Sequence, residues 1–201
     1  MVTRSLIALA ALLAFFALGE FAARVPPGRL DTRGMKLLGG ATPLALFFTR
    51  SGYNSGLLAL GAAGVLAAFF LRVSIVTPFL LIGVQLLSQG AVHGVKMLYR
   101  RTRPGQWIHK AEHGHSYPSG HAVTAIVFYI GWATVVWGWP LPRTMRLGVV
   151  AALAVWAMGI AWSRMALGAH YATDVLGGYL FGTAWFFFFL ILLSQLARVL
   201  Q

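Results

Sequence analysis

The sequence predicts an all-α, polytopic membrane protein with six transmembrane helices, forming one domain over residues 1–201. Three observations predict this class: 59% of the 201 residues are hydrophobic, only 10% are charged, and cysteine is absent. Average soluble domains have about 45–50% apolar and about 25% charged residues. So few charged side chains could not cover this much apolar surface in water. The composition therefore excludes an ordinary soluble enzyme, a disordered chain and a disulfide-stabilised secreted scaffold.

Six apolar segments come near the length of roughly 17–25 residues that a membrane crossing requires. Each must satisfy its backbone hydrogen bonds internally in the absence of water, so each is predicted to be a helix. Pro140 and Pro142 end the fourth segment and make the turn to the fifth, short segment tight. The predicted spans are Leu6–Ala23, Tyr53–Leu71, Val73–Val95, His121–Trp139, Leu147–Trp162 and Val175–Ala197.

The first segment is open to two interpretations. Arg4 before an apolar stretch also fits a cleaved signal peptide. An uncleaved anchor is preferred because Glu20 interrupts the place where a small-residue cleavage site would fall. Glu20 near the end of a span fits a functional group or a surface position equally well. The following residues, 25–50, are rich in Arg, Gly and Pro and are predicted to form an interfacial segment on the membrane.

Three polar clusters interrupt the apolar chain. They are Lys96–Pro104 after the third span, Tyr117–His121 at the start of the fourth, and Ser163–Asp174 between the fifth and sixth. The first two share one loop, and the third lies two crossings later on the same side of the membrane. One composite site from residues 96–121 and 163–174 is therefore compatible with the predicted topology.

Five residues of these clusters suit an anionic oxygen ligand. Lys96, Arg103 and Arg164 offer cationic donors, and guanidinium groups match the oxygens of a phosphoryl group. Ser119 adds a hydroxyl. Gly120 lets backbone N–H groups approach an anion at the start of a helix.

Two histidines and one carboxylate add reactive groups. His170 and Asp174 are four residues apart, so a helix would place them on one face, where the carboxylate could orient the imidazole and raise its nucleophilicity. His121 could then act as a general acid. Phosphoryl transfer through a phospho-histidine uses all of these groups.

The three motifs together resemble the signatures of the type 2 phosphatidic acid phosphatase (PAP2) family. They are Lys-x6-Arg-Pro at 96–104, Pro-Ser-Gly-His at 118–121 and Ser-Arg-x5-His-x3-Asp at 163–174, in the family's order. The resemblance implies a helical core shared with vanadium-dependent haloperoxidases and a phosphatase that needs no metal or other cofactor. It assigns His170 as nucleophile, Asp174 as its partner and His121 as acid. It assigns phosphoryl binding to Lys96, Arg103, Ser119, Gly120 and Arg164.

Ordinary structural roles are expected for most other polar and aromatic residues. Arginine and lysine near helix ends usually reach the lipid headgroups, and a lone histidine in an apolar helix, such as His93, is usually packed. Four loop residues could mimic a metal cluster but lack a convincing ligand spacing. The residues expected to reach the headgroups are Arg100, Arg101 and Lys110. The four loop residues are His109, Glu112, His113 and His115. The aromatic residues expected to anchor the protein at the membrane surface are Trp107, Tyr117, Trp137, Trp139 and Trp185.

For the orientation in the membrane, the distribution of basic residues and the family resemblance give conflicting expectations. With a cytoplasmic N-terminus, five basic residues lie inside and eleven outside, against the usual excess inside. The resemblance favours both termini in the cytoplasm of a bacterial inner membrane with the site on the extracytoplasmic side. That orientation is adopted, since part of the outer surplus lies in residues 25–50 and could meet anionic lipids.

These observations predict a membrane enzyme that hydrolyses the terminal phosphate of a lipid phosphate or diphosphate. Isoprenoid diphosphate and phosphatidylglycerophosphate are the favoured substrates, with lipid A 1-phosphate as an alternative. A lipid-to-lipid phosphotransferase with the same site and a non-catalytic lipid transporter remain alternatives. The expected partners are the lipid phosphate and membrane lipids. The net charge of +12 lies largely between apolar spans, so no nucleic acid partner is expected, and no obligate protein partner is evident.

Overall fold

All regular structure is helical in the residues that the computed structural model describes, which are 2–38, 42–105 and 113–199, without the side chains of 34–38. One continuous run after residue 119 combines two α-helices with a π-helical segment between them. The elements are α1 (Val2–Arg24), α2 (Arg29–Leu38), α3 (Thr42–Ser51), α4 (Asn54–Phe70), α5 (Val76–Tyr99), α6 (Gly120–Thr124), the π-helical segment Ala125–Ile130, α7 (Gly131–Trp137), α8 (Arg143–Ala166) and α9 (Ala172–Val199).

The predicted all-α membrane architecture is confirmed. Within the described ranges, five helical runs are long and apolar enough to cross a membrane: α1, α5, α6 to α7, α8 and α9. Helices α3 and α4 meet at a 59° bend and make a sixth crossing if they are counted together. The predicted second span corresponds to α4, whose 17 residues end at Phe70.

The fifth span was predicted too short. Helix α8 contains 24 residues and includes the two arginines at which the predicted span Leu147–Trp162 stopped. Arg146 donates a hydrogen bond to the carbonyl of Trp137 at 3.0 Å, and Arg164 is buried within the protein. Both charges have protein partners, so the helix continues past them.

Residues 25–50 contain two helices with buried side chains toward the rest of the protein. Asp31 lies in the first turn of α2, where a carboxylate interacts favourably with the helix dipole, and is 3% exposed. Helix α3 packs against α8 and buries Ala45 and Thr49. The side chains of Leu37 and Leu38 and residues 39–41 lie outside the described part, and the interfacial location of this segment stays a prediction.

The core places α1 along α9 and closes around Tyr117. Phe15 is fully buried and stacks on Tyr117 with ring centroids 5.4 Å apart, and the Tyr117 hydroxyl donates to the Phe15 carbonyl at 2.8 Å. The prediction that Tyr117 anchors the protein in the membrane surface is therefore wrong. Burial raises the pKa of the Tyr117 phenol above its ordinary value, which keeps the hydroxyl protonated as a donor.

Glycines of α9 bring the start of α6 against this helix. A Cβ on Gly178 would lie 2.6 Å from both the Ser119 carbonyl oxygen and the Ala122 Cβ, so only glycine permits this approach. The Ser119 amide then donates to the Asp174 carbonyl at 3.0 Å. This contact joins the second and third polar clusters.

Candidate active site

One polar cavity of about 210 Å³ brings together residues from all three clusters. Five of the eight predicted site residues line it, namely Lys96, Arg103, Gly120, His121 and His170. The other three, Ser119, Arg164 and Asp174, are almost fully buried. The complete lining is Gln89, Val92, His93, Lys96, Arg103, Gly120, His121 and His170.

The hydrogen bonds around His170 define which ring nitrogen carries the proton. The Arg103 guanidinium lies 3.2 Å from Nε2 of His170. A guanidinium can only donate, so Nε2 accepts and is unprotonated, and a neutral ring then carries its proton on Nδ1. Nδ1 faces the Ser116 hydroxyl at 3.4 Å and the Asp174 carboxylate at 3.5 Å. Nε2 of His170 therefore lies beside Arg103, and both residues line the cavity.

Asp174 is held by several donors as well as by its contact with His170. Its Oδ2 accepts hydrogen bonds from the Ser116 hydroxyl and from the Tyr171 amide at 2.9 Å, and its Oδ1 accepts from Arg101 at 2.5 Å. The side chain is fully buried. These bonds restrict its orientation toward the imidazole.

Arg101 does not extend to the lipid headgroups, so the prediction for it is wrong. Its side chain is 5% exposed and lies between two carboxylates: it contacts Asp174 at 2.5 Å and Asp31 at 2.8 Å. Its guanidinium also lies 4.6 Å from the centre of the Tyr171 ring. A buried guanidinium needs paired acceptors of this kind to offset the cost of its desolvation. Its neighbour Arg100 is exposed, and its contact with the lipid headgroups stays a prediction.

Two cations at the cavity are positioned by backbone carbonyls of the flanking loops. Lys96 donates to the His115 carbonyl at 2.7 Å, and Arg103 donates to the carbonyls of Gly114 at 3.0 Å and Ala169 at 3.1 Å. Both cations also belong to the lining of the cavity. A phosphoryl group suits such a cavity.

Ser119 and Gly120 lie at the start of α6, and Gly120 lines the cavity whereas Ser119 is buried beside it in the chain. The Ser119 hydroxyl oxygen is buried and has no hydrogen-bond partner among the described residues. A Cβ on Gly120 would lie 3.3 Å from Oε1 of Gln89, so a larger residue would crowd the cavity. Gln89 belongs to α5, which thereby contributes to the same cavity.

His121 lines the same cavity as His170 and contacts Thr49 of α3 and Tyr53 between α3 and α4. Its Nε2 is 3.2 Å from the Thr49 carbonyl oxygen, and its ring meets Tyr53 edge to face at 4.9 Å. A carbonyl oxygen can only accept, so Nε2 of His121 carries a proton. The Thr49 hydroxyl accepts a hydrogen bond from Arg164, which is 1% exposed and is not part of the cavity lining.

Several residues of this arrangement were missed by sequence reasoning. Asp31, Thr49 and Ser116 lie outside the three motifs, and their roles depend on contacts between distant helices. The scarcity of acidic residues was a usable signal, because Asp31 is one of only four in the chain. His93 was expected to be packed in the core, which is wrong: it is exposed and lines the cavity.

The predicted absence of a bound metal stays a prediction. No group of three or more His, Cys, Asp or Glu side chains within the described ranges has metal-site geometry. His109, Lys110 and Glu112, together with Trp107, lie outside those ranges.

The PAP2 superfamily model matches residues 77–198, more than half of the chain and all three motifs. This protein belongs to the PAP2 superfamily. Phosphatidylglycerophosphatase B of Escherichia coli K12 is 38% identical over 66 residues, which cover 32% of this chain and 23% of the relative. The Shigella flexneri protein of the same name gives the same values, so the match spans less than a quarter of these relatives.

A solved structure extends the PAP2 similarity to the fold of almost the whole chain. The crystal structure of a transmembrane PAP2-type phosphatidylglycerolphosphate phosphatase from Bacillus subtilis superposes with a TM-score of 0.78 and 24% sequence identity. The superposition covers 94% of this chain and 96% of the other. The PAP2 membrane fold is thus shared, and the similarity at this identity concerns the fold alone.

Proposed function

We propose that this PAP2 protein is an integral membrane phosphatase that removes the terminal phosphate from a lipid phosphate or diphosphate. The observation that carries the proposal is the position of His170, whose Nε2 lies 3.2 Å from the Arg103 guanidinium in the lining of a cavity that also contains Lys96. This combination supplies a nucleophile and positive charge for a phosphoryl group.

An apolar groove beside the phosphate-sized cavity supports a lipid as the substrate. The groove has a volume of about 690 Å³, lies between α4 and α5, and shares Gln89 with the polar cavity. Its lining includes Leu58, Leu66 and Phe79, each more than half exposed at the helix surface. A hydrocarbon chain could lie in this groove while its phosphate lies at His170.

The proposed reaction has two steps. In the first, Nε2 of His170 attacks phosphorus, the bond from phosphorus to the leaving oxygen breaks, and that oxygen takes a proton from the protonated imidazole of His121. In the second, water attacks the phospho-histidine, His121 accepts a proton from the water, and the phosphorus–nitrogen bond breaks to release phosphate. Asp174 and Ser116 hold Nδ1 of His170, and Lys96 and Arg103 stabilise the charge on the phosphoryl oxygens. No step requires a metal.

The proposal includes the lipid and the orientation. Isoprenoid diphosphate and phosphatidylglycerophosphate are the favoured substrates, with lipid A 1-phosphate third, and the site faces the extracytoplasmic side of the bacterial inner membrane. The local similarity to phosphatidylglycerophosphatase B supports the second of these lipids. The chain lacks cysteine, so single-cysteine variants can test the orientation. With an impermeant maleimide on intact cells, Thr102→Cys should react and Ser74→Cys should not; the reverse result would refute the orientation.

Phosphate release from these three lipids, measured in detergent with a chelator present, tests the activity. Wild type should release phosphate from at least one lipid, and His170→Gln should release none while keeping the wild-type melting temperature. Arg100→Lys is the control, since Arg100 is exposed and lies outside the lining of the cavity. Transfer of labelled phosphate to a second lipid would favour the phosphotransferase. Equal release by His170→Gln and wild type would remove the mechanism.

A further inference from the structure

A buried series of charges connects α2 to the imidazole of His170. Asp31 of α2 accepts hydrogen bonds from Arg101 at 2.8 Å and from the Thr173 amide at 2.9 Å. Arg101 reaches Oδ1 of Asp174 with its other terminal nitrogen, and Asp174 faces Nδ1 of His170. Asp31 and Arg101 belong to neither the reaction described above nor the lining of the cavity.

The charges in this series do not cancel. One guanidinium lies between two carboxylates, and all three side chains are at most 5% exposed. With both carboxylates ionised, the buried group has a net charge of −1 beside His170. Buried charges interact strongly because water screens them little.

The shape of arginine suits this position in a way that lysine does not. One terminal nitrogen of Arg101 contacts Asp174 and the Thr173 hydroxyl, and the other contacts Asp31. A planar guanidinium holds two acceptors at a fixed separation, whereas an ammonium is a point charge on a flexible stem. The arginine therefore fixes the position of Asp174 relative to α2.

We propose that Asp31 and Arg101 are positioning residues for the His170–Asp174 pair. Arg101 holds the Asp174 carboxylate in place. Asp31 offsets the positive charge of Arg101, so that the net charge on the Nδ1 side of the His170 imidazole stays negative. This inference rests on the proposed function, in which His170 is the nucleophile. It adds a residue of helix α2 to the determinants of the reaction rate.

The imidazole of His170 is surrounded by other charged and titratable groups. In and around the cavity are His93 and Lys96 of α5, Arg103, His115 and Ser116 of the following loop, His121 of α6 and Arg164 of α8. On the Nδ1 side of the ring are Asp174, Arg101, Asp31 and Tyr171. Burial raises the pKa of the Tyr171 phenol, so that this side chain stays neutral. Substitutions at Asp31 and Arg101 leave the cavity side unchanged.

Substitutions at Asp31 and Arg101 shift the titration of His170 in opposite directions. Asp31→Asn removes a negative charge, disfavours the imidazolium and moves the acidic limb of kcat/KM to lower pH. Arg101→Gln removes a positive charge and moves this limb to higher pH. A unit charge on the order of 10 Å away at an effective dielectric of about 20 shifts the limb by about one pH unit. Arg101→Lys keeps the charge, so the limb stays in place while kcat falls about tenfold.

The measurement combines pH–rate profiles with an NMR titration of the histidine side chains. The chain has six histidines, and His170→Gln identifies the signal of His170. The NMR titration needs no turnover, so it tests the positioning role even if wild type hydrolyses none of the lipids, a result that would refute only the proposed function. Arg100→Lys and Glu20→Gln are the matched controls, since Arg100 is exposed and Glu20 pairs at the surface with Arg24.

The expected result is opposite shifts for Asp31→Asn and Arg101→Gln and no shift for either control. If Arg101→Gln does not fold, Asp31→Asn and Arg101→Lys still carry the test. Folded Asp31→Asn with an unchanged His170 titration, or Arg101→Lys with wild-type kcat, would overturn the proposal. A lower melting temperature without these changes would show that the series of charges serves stability alone.

Discussion

Replacing Gly52 by alanine should displace His121 without unfolding the protein. Gly52 lies between α3 and α4, next to the imidazole of His121. A Cβ at this position would lie 3.0 Å from Nε2 and 3.3 Å from Cγ of that ring, and closer still to Cδ2. Carbon atoms in contact are normally about 3.5–4.0 Å apart. The ring must therefore move away by roughly 1 Å, which also stretches the 3.2 Å contact with the Thr49 carbonyl.

The rate should fall much more than the stability. A displacement of about 1 Å in a reacting group can reduce a rate on the order of 100-fold, and this is the loss in kcat expected for Gly52→Ala. Extra volume in a packed region typically costs about 1–3 kcal/mol of unfolding free energy. This cost is smaller than the total of about 5–15 kcal/mol for a typical native protein, so the variant should remain folded.

Phosphate release at saturating lipid, with a melting curve in the same detergent, measures both effects. Gly83→Ala is the matched control, since a Cβ there would meet nothing within 4 Å. A wild-type kcat for Gly52→Ala would refute the role or the position of His121. An equal loss in Gly83→Ala would show that glycine replacement acts generally and not through the histidine.

Two further predictions concern the α6–α9 contact and the apolar groove. Gly178→Ala should lower the unfolding free energy by about 1–3 kcal/mol, since its Cβ would lie 2.6 Å from the backbone oxygen of Ser119. Thermal melts measure this loss, and Gly94→Ala is the control without a loss, because a Cβ at Gly94 would meet open space. A Gly178→Ala variant as stable as wild type would contradict the contact. Ala62→Trp should fill the groove and reduce hydrolysis of long-chain relative to short-chain lipid phosphates, whereas Ala63→Trp, on the same helix outside the groove lining, should not. An unchanged chain-length preference in Ala62→Trp would exclude the groove as the site of the lipid tail.

The ends of the helices were predicted less well than their presence along the chain, and α8 shows the reason. The predicted span, Leu147–Trp162, lies between Arg146 and Arg164, and charges are costly in lipid. In the structure both arginines donate to partners on other elements, Trp137 and Thr49. The partners that make a charge acceptable inside a helix are supplied by tertiary contacts, which a hydropathy pattern does not contain.

The sequence by itself determined the membrane class, the helical character of the spans and the residues of the three motifs. These properties are local: a long apolar stretch in lipid has to satisfy its own backbone hydrogen bonds, and a motif is defined by short spacings. The tertiary structure alone decided that Arg101 turns inward and that Asp31 joins it. Arg101 is 70 residues from Asp31 and 73 from Asp174. Three charges so far apart in the chain meet only when packing of the helices excludes water and leaves each charge dependent on the others.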